Sequence, residues 1–302
     1  MDPSATALAA ATLSGACCYV IAVGLTRWHG WQQARANRQF ETYTRTPPAA
    51  TIDSLRRGLE ARNIAKLTAL GAMTAAFTAC VWLSAQPLTF STLASGAGGV
   101  ALTLLVSATL TLVIRDARRT SHLAFASAAR HAVAHGLTRV GAEHAIVHHD
   151  VAVDRNYWVD HVMLNVNGAF AIHVISPANR KTVDATLHND AIVFDGHEQT
   201  VALDTVRQRT AALQHRISKP LGRIIPVRSV VVVAGCRVQG KSDDQLLVVS
   251  ERDLVMIQGW RSASAALMSE DIDAIDHQLA GATATPRTLP AVLNNGLLSA
   301  NA

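Results

Sequence analysis

At 302 residues the chain has room for one helical module and one globular domain, and only 16% of its residues are charged, against about 25% in soluble domains. The net charge of +5 does not indicate a nucleic-acid-binding protein, because residues 1–119 hold 11 Lys/Arg against 5 Asp/Glu, whereas residues 120–302 hold 16 against 17. Three of the four cysteines lie within apolar runs, which excludes a disulfide framework and a zinc-binding spacing.

Two long runs without Lys, Arg, Asp or Glu lie in the first part of the chain, at residues 3–26 and 67–114. A helix needs about 20 apolar residues to cross a bilayer, so the first run predicts a transmembrane span at 5–26. A cleaved signal peptide is the alternative, but no basic region precedes the run. Gln86-Pro87 divides the second run, because proline cannot continue a helix, and this predicts two further spans at 67–85 and 91–114.

The basic residues predict the orientation of these spans. Eight Lys/Arg lie in the loop 27–66, and Arg115, Arg118 and Arg119 follow the third span. Short loops rich in Lys and Arg stay on the cytoplasmic side of a membrane. The sequence therefore predicts a membrane module at 1–119 in the bacterial inner membrane, with the N-terminus outside, the loop 27–66 and the C-terminal domain in the cytoplasm, and the lipid bilayer as a partner.

After residue 120 the pattern changes to that of an α/β domain, predicted to span 120–280. A helix at 121–140 precedes predicted strands at 145–149, 159–166, 169–176 and 191–194, and Asn167-Gly168 is a strong hairpin signal. A helix at 200–217, strands at 228–234 and 246–249, and helices at 251–260 and 264–279 follow. This order predicts a mixed β-sheet flanked by helices. Residues 281–302 are rich in Ala, Thr, Pro and Asn and are predicted to form a disordered tail.

Three segments of this domain resemble the nuclease-related domain (NERD) family: DHVMLNVNGAFAIHV at 160–174, VRQRTAAL at 206–213 and RSVVVVAG at 228–235. The family pattern is an Asp that opens a strand, a hairpin, a strand that ends in Glu-x-Lys, and a later helix with Gln. The resemblance covers about residues 125–262 and implies a restriction-endonuclease-like fold with DNA as a partner. In such a site the Asp and the Glu hold Mg²⁺, and the Lys helps to activate water.

Only part of that motif is present in this chain. Asp160 matches the first carboxylate and Gln208 the helical Gln, and together with His173 they are the candidate catalytic residues. However, His173 stands at the Glu position, Ile175 at the Lys position, and Arg130 falls where the family has a Glu in the preceding helix. Asp160 and His173 are the candidate metal ligands, and Mg²⁺ or Mn²⁺ is expected only if the site is active, because Mg²⁺ disfavours imidazole.

A second group of polar residues, His148-His149-Asp150 followed by Asp154 and Asp160-His161, has the composition of a metal site. Alternation along a strand places His148 and His149 on opposite faces, so these residues are predicted to be solvent-facing and not to share one ion. No Walker loop, GxGxxG, GxSxG or HExxH motif occurs in the chain.

The sequence therefore predicts a membrane-anchored, NERD-like protein with a degenerate nuclease site. Such a pseudoenzyme would serve as a non-catalytic DNA-associated or scaffold domain. Two alternatives stay open: an active metal-dependent nuclease with an altered site, and a structural subunit of an inner-membrane complex whose other subunits are its partners.

Overall fold

The structure is a computed structural model that describes residues 49–84, 92–141, 145–154, 157–177, 184–188, 190–194, 200–239, 243–261 and 263–280. The chain divides into two compact units. The described part of the first unit comprises residues 56–84 and 92–122. The second unit comprises residues 49–55 and the described residues from 123 onward.

Two long helices pass through the first unit, α1 (Ala50–Ser84) and α2 (Thr92–Val140). The Lys66 ammonium on α1 lies 2.5 Å from a carboxylate oxygen of Asp116 on α2. Within α1, Arg56 and Glu60 form a further ion pair at 2.8 Å. Charged residues are therefore part of both helices rather than confined to the segments between them.

In the part of the chain that the structure describes, no helix is both long enough and apolar enough to cross a membrane. The prediction of three N-terminal transmembrane helices is therefore wrong for the described residues. The span at 5–26 lies outside them, while those at 67–85 and 91–114 fall largely within α1 and α2, each of which also contains charged sequence. A helix continues wherever its backbone hydrogen bonds continue, so its ends need not follow an uncharged run. The predicted place and orientation in the inner membrane, which rested on the spans, stay predictions.

The second unit contains a five-stranded mixed sheet in the order β1-β2-β3-β7-β9. Its strands are β1 (Ile146–Ala152), β2 (Trp158–Asn165), β3 (Gly168–Ile175), β7 (Val227–Val233) and β9 (Leu246–Ser250). The first three pair antiparallel, whereas β7 pairs parallel to β3 and β9 pairs parallel to β7. The predicted α/β class with a mixed sheet is confirmed.

Helices cover both faces of this sheet, because residues along β2 and β3 alternate between two apolar clusters. On one face, Val162 and Leu164 lie in a cluster with residues of α3 (Asp204–Leu221) and α5 (Ser269–Ala280). On the other face, Met163 lies in a cluster with the last part of α2 and with residues at the short helix α4 (Met256–Gly259). The apolar positions of α3 recur with helical spacing, and α3 ends at Gly222, whose φ of 62° is the left-handed conformation common after a helix.

The hairpin predicted at Asn167-Gly168 is confirmed, with its turn one residue earlier than expected. Asn165 pairs with Gly168, so Val166 and Asn167 form the turn and Gly168 begins β3. Gly168 has a φ of +131°, and a Cβ atom there would lie 2.8 Å from the backbone oxygen of Ala265. Glycine is needed at this position both for its backbone conformation and for the close approach.

A second sheet of four short strands has the order β6-β5-β4-β8. Its strands are β6 (Thr200–Ala202), β5 (Ala191–Phe194), β4 (Asp184–His188) and β8 (Arg237–Gln239). Only β5 is predicted from the sequence, because the others have three to five residues and are partly exposed. The helix predicted at 251–260 is also shorter in the structure, where α4 has four residues. The predicted tail, 281–302, lies outside the described residues.

Candidate functional site

Asp160 lies near the start of β2, and its carboxylate is buried together with the guanidinium of Arg130 from α2. Arg130 Nε donates a hydrogen bond of 2.8 Å to Asp160 Oδ1, and the Val174 amide on β3 donates one of 2.8 Å to Asp160 Oδ2. Burial by itself would raise the pKa of Asp160, but the Arg130 guanidinium and the Val174 amide outweigh it and lower the pKa to about 2. Asp160 is therefore a paired carboxylate at neutral pH, with hydrogen bonds to both oxygens.

His173 lies close to Asp160 because β2 and β3 pair antiparallel. His161 pairs with Ile172, and Asp160 and His173 are the next residues beyond that pair. His173 Nε2 lies 3.2 Å from the hydroxyl of Thr210 on α3, which accepts a hydrogen bond of 2.8 Å from Ser229 on β7. Burial lowers the pKa of His173 to about 4, although the nearby Asp160 carboxylate acts in the opposite direction. At neutral pH the imidazole is therefore uncharged.

Gln208 does not join Asp160 and His173. It lies on the exposed side of α3, where its side-chain oxygen accepts a hydrogen bond of 3.3 Å from the Tyr157 hydroxyl. The next residue, Arg209, is half-buried instead and stacks on Trp158, with its guanidinium carbon 4.5 Å from the ring centroid. Arg209 is also close enough to lower the pKa of both Asp160 and His173.

The sequence contains a signal for Arg209 and Thr210 that the family pattern does not use. Val206, Leu213 and Ile217 form the buried stripe of α3. Positions three and four residues after Val206 lie on the same helical face, which places Arg209 and Thr210 toward the sheet. Gln208, two residues after Val206, points away from that stripe.

Ile175, which stands at the family's Lys position, lies at the end of β3 and is half-buried. It packs against the apolar cluster formed by the second sheet, β7 and β9. An alkyl side chain has no charge to offset that of a phosphate and no atom that could orient water. The position therefore contributes to packing and not to the chemistry that the resemblance implies.

The residues present do not fit the Mg²⁺ site that the resemblance implies. Mg²⁺ prefers several oxygen ligands, and here one carboxylate is available, already bound to a guanidinium, beside an imidazole. Within the residues that the structure describes, no group of three or more His, Cys, Asp or Glu is placed to hold a metal ion. The Arg130 cation neutralises the charge of Asp160, and in an active site a metal ion would have this role.

A second polar cluster consists of histidines on β1 and β2, where the predicted solvent-facing residues are in fact buried. His149 Nδ1 and His161 Nδ1 lie 2.6 Å apart across the two strands. Burial lowers the pKa of His149 to about 4 and that of His161 well below its ordinary value. His148 points to the opposite face, as predicted, and lies 3.0 Å from a carboxylate oxygen of Asp276 on α5. The prediction of opposite faces is confirmed. That of solvent exposure is wrong for His148, His149 and Asp150, which are buried, and is confirmed for Asp154, which is exposed.

Comparisons of this chain with models of known protein families, with curated proteins and with solved structures give no significant match. The resemblance to the NERD family therefore rests on the matching residues alone and stays a prediction. The site consists of a neutralised carboxylate, an uncharged imidazole and a half-buried, stacked arginine.

Proposed function

We propose that this chain is a non-catalytic, NERD-like protein whose α/β domain associates with DNA. The main observation in favour of a non-catalytic site is the buried ion pair between Arg130 and Asp160. A guanidinium that donates to the carboxylate leaves it neither the free oxygens nor the local negative charge that a divalent cation requires. Ile175 in place of the Lys removes the group that would activate water.

The support for DNA association is the set of side chains beside this pair. Arg209 stacks on Trp158, and the neighbouring Tyr157 and Gln208 share a hydrogen bond at the exposed edge. Aromatic rings bind bases by stacking, and an arginine beside them binds phosphate. Arg209 Nε is itself buried and makes no hydrogen bond within the described residues.

A structural subunit is the second candidate, and other arginines of α3 favour it. Arg207 is bound by both oxygens of Asp190, and Arg216 donates to the carbonyl oxygens of Ala152 and Val153 at 2.7 and 3.0 Å. These cations are used within the fold. A domain that keeps its cations in internal contacts has fewer of them to offer to a polyanion.

Two assays on the purified full chain test the proposal. Plasmid incubated with Mg²⁺ or Mn²⁺ should remain uncut, and a fluorescent DNA should bind with an affinity that falls between about 50 and about 200 mM salt. Arg209→Gln should weaken binding more than Arg237→Gln, a matched control at an exposed position of β8.

The opposite results are equally specific. Metal-dependent cleavage that disappears in Asp160→Asn would show that the site is catalytic and would overturn the proposal. DNA binding no greater than background at low salt would remove the association with DNA and leave the structural subunit as the better candidate. Equal effects of the two arginine substitutions would mean that any binding does not use the stacked arginine.

A further inference from the structure

Two adjoining clefts lie at the C-terminal end of α2, away from the Asp160 site. Val140 and Gln258 line both clefts, and the Gln258 side chain donates a hydrogen bond to the Val140 carbonyl oxygen between them. The larger cleft has a volume of about 560 Å³ and the smaller one of about 270 Å³. We name this pair of clefts, with the residues that line them, the α2-end clefts.

The α2-end clefts carry a local excess of positive charge. Arg139 and Arg252 line the larger cleft and Arg261 lines the smaller one, and all three are exposed. In the described part of the chain, none of these arginines forms an ion pair. Glu251 is the acidic residue among the described lining residues, and one of its oxygens accepts a hydrogen bond from the Gly235 amide.

This excess contrasts with the region as a whole, since residues 120–302 hold 16 Lys/Arg against 17 Asp/Glu. Three guanidinium groups that have no ion-pair partner among the described residues lie on one small area of a nearly neutral region and produce a positive potential there. Such a potential attracts carboxylates and other anions.

Exposed apolar side chains accompany the arginines. Val255 lines the larger cleft and is 63% exposed, and the adjacent Met256 is 57% exposed. Val166 lines the smaller cleft and is 56% exposed. Large apolar side chains grouped on a surface and surrounded by polar residues are typical of a protein–protein contact.

We infer that the α2-end clefts bind an acidic, amphipathic segment of a partner protein. Carboxylates of that segment pair with Arg139, Arg252 and Arg261, and its apolar side chains cover Val166 and Val255. A nucleic acid fits less well, because no Phe, Tyr or Trp ring is among the described lining residues, which leaves the His135 imidazole of the larger cleft as the aromatic ring on which a base could stack. This inference does not depend on the proposed association with DNA, which concerns the residues beside Asp160.

Peptide selection on the purified full chain tests this assignment. Phage-displayed random peptides are selected for binding to the wild-type chain. Peptides that also bind the double variant Arg139→Glu, Arg252→Glu are then removed by counter-selection. Enriched peptides should combine Asp or Glu with Leu, Ile, Val or Phe. A labelled copy of one such peptide should bind the double variant at least about tenfold more weakly, since two attractive pairs become repulsive.

Two further variants separate the contributions of charge and of apolar contact. Arg237→Glu makes the same charge change at an exposed position outside the clefts and should leave peptide affinity unchanged. Val255→Asp should weaken binding without altering any arginine. Circular dichroism of each variant should match that of the wild type, since all of these side chains are exposed.

Three results would overturn the inference. One is that no peptides enrich, or that the enriched peptides lack acidic residues. Another is that affinity falls equally in Arg237→Glu and in the double variant, which would mean that the clefts are not the site. The third is that DNA displaces the selected peptide and itself binds the double variant more weakly, which would identify a nucleic acid as the occupant.

Discussion

Replacing Arg130 by methionine would leave the buried Asp160 carboxylate without the cation that neutralises it. The two side chains are 5% and 2% exposed, so water cannot take the place of the guanidinium. The Val174 amide would remain as the direct hydrogen-bond partner of the carboxylate. Removing one partner of a buried ion pair costs about 3–5 kcal/mol, because the other charge stays buried and unpaired. We expect Arg130→Met to lower the free energy of unfolding around β2 and β3 by that amount.

Hydrogen exchange measured by mass spectrometry on the full chain reports this change in the affected strands. Amides of β2 and β3 should exchange about 150- to 4,000-fold faster in Arg130→Met than in the wild type, the factor that corresponds to about 3–5 kcal/mol. Arg207→Met is the matched control, because Arg207 binds Asp190 on the surface. Exposed ion pairs contribute little to stability, so exchange in β2 and β3 should stay near the wild-type rate in this control.

A double substitution and a pH series show whether charge is the cause. Arg130→Met with Asp160→Leu removes both charges and should recover much of the lost protection, since no unpaired charge remains. The lowered pKa of Asp160 means that its stabilising effect is complete above its ordinary value of 3.8 and is lost as the pH falls toward about 2. The protection of β2 and β3 in the wild type, taken relative to the intrinsic exchange rate at each pH, should fall over that range.

Two results would refute this reasoning. Exchange in Arg130→Met that is less than about tenfold faster than in the wild type, equivalent to about 1.4 kcal/mol, would mean that the guanidinium does not offset the carboxylate charge. Equal protection in the single and the double variant would mean that the loss comes from packing and not from charge.

Three further predictions concern the rest of the second unit. Burial lowers the pKa of His149 from 6.5 to about 4, so the contribution of the neutral imidazole to folding stability is complete above pH 6.5 and is lost as the pH falls toward 4. Urea unfolding measured from pH 7 to 4 should show this loss, on the order of 3 kcal/mol, and the stability of His149→Phe should depend less on pH. Gly168→Ala should destabilise the hairpin by about 1–3 kcal/mol or more in thermal unfolding. Gly222→Ala should cost less stability, because the space around its Cβ is open. Equal losses of stability would contradict the close approach of Gly168 to the backbone of Ala265. Arg228→Lys should lower stability in urea by about 1–3 kcal/mol, because the guanidinium packs against the rings of Phe170 and Trp260, at 4.6 and 4.5 Å from their centroids, and an ammonium cannot stack in the same way. An unchanged midpoint would contradict a structural role for this contact.

The fold of the second unit could be predicted largely from local patterns. Three such patterns depend on residues close in sequence, and each is present in the structure: the alternation along β2 and β3, the Asn167-Gly168 hairpin signal, and the apolar stripe of α3. The short strands β4, β6 and β8 could not be predicted. Three to five partly exposed residues carry too little pattern, and such strands form because a neighbouring strand pairs with them.

The long helices show where local pattern fails. The uncharged runs predict spans at 67–85 and 91–114, but α1 begins before residue 67 and α2 continues beyond residue 114, both through charged residues. Charge density describes which surroundings a segment prefers, whereas the helix ends depend on backbone hydrogen bonds and on contacts such as that between Lys66 and Asp116.

For the candidate site, the sequence alone determined that a hairpin joins the strands of Asp160 and His173, whereas the register that makes these two residues neighbours is seen only in the structure, where the turn lies one residue earlier than expected. It also determined that the Glu and Lys of the family pattern are absent. Only the tertiary structure decided that Arg130, thirty residues earlier in the chain, binds Asp160, and that the sheet-facing Arg209 lies beside this pair and stacks on Trp158. The physical reason is that side-chain pairing between elements depends on how a helix docks on a sheet. The buried stripe of a helix indicates which side faces the sheet, but not the angle at which the helix crosses the strands or its position along them.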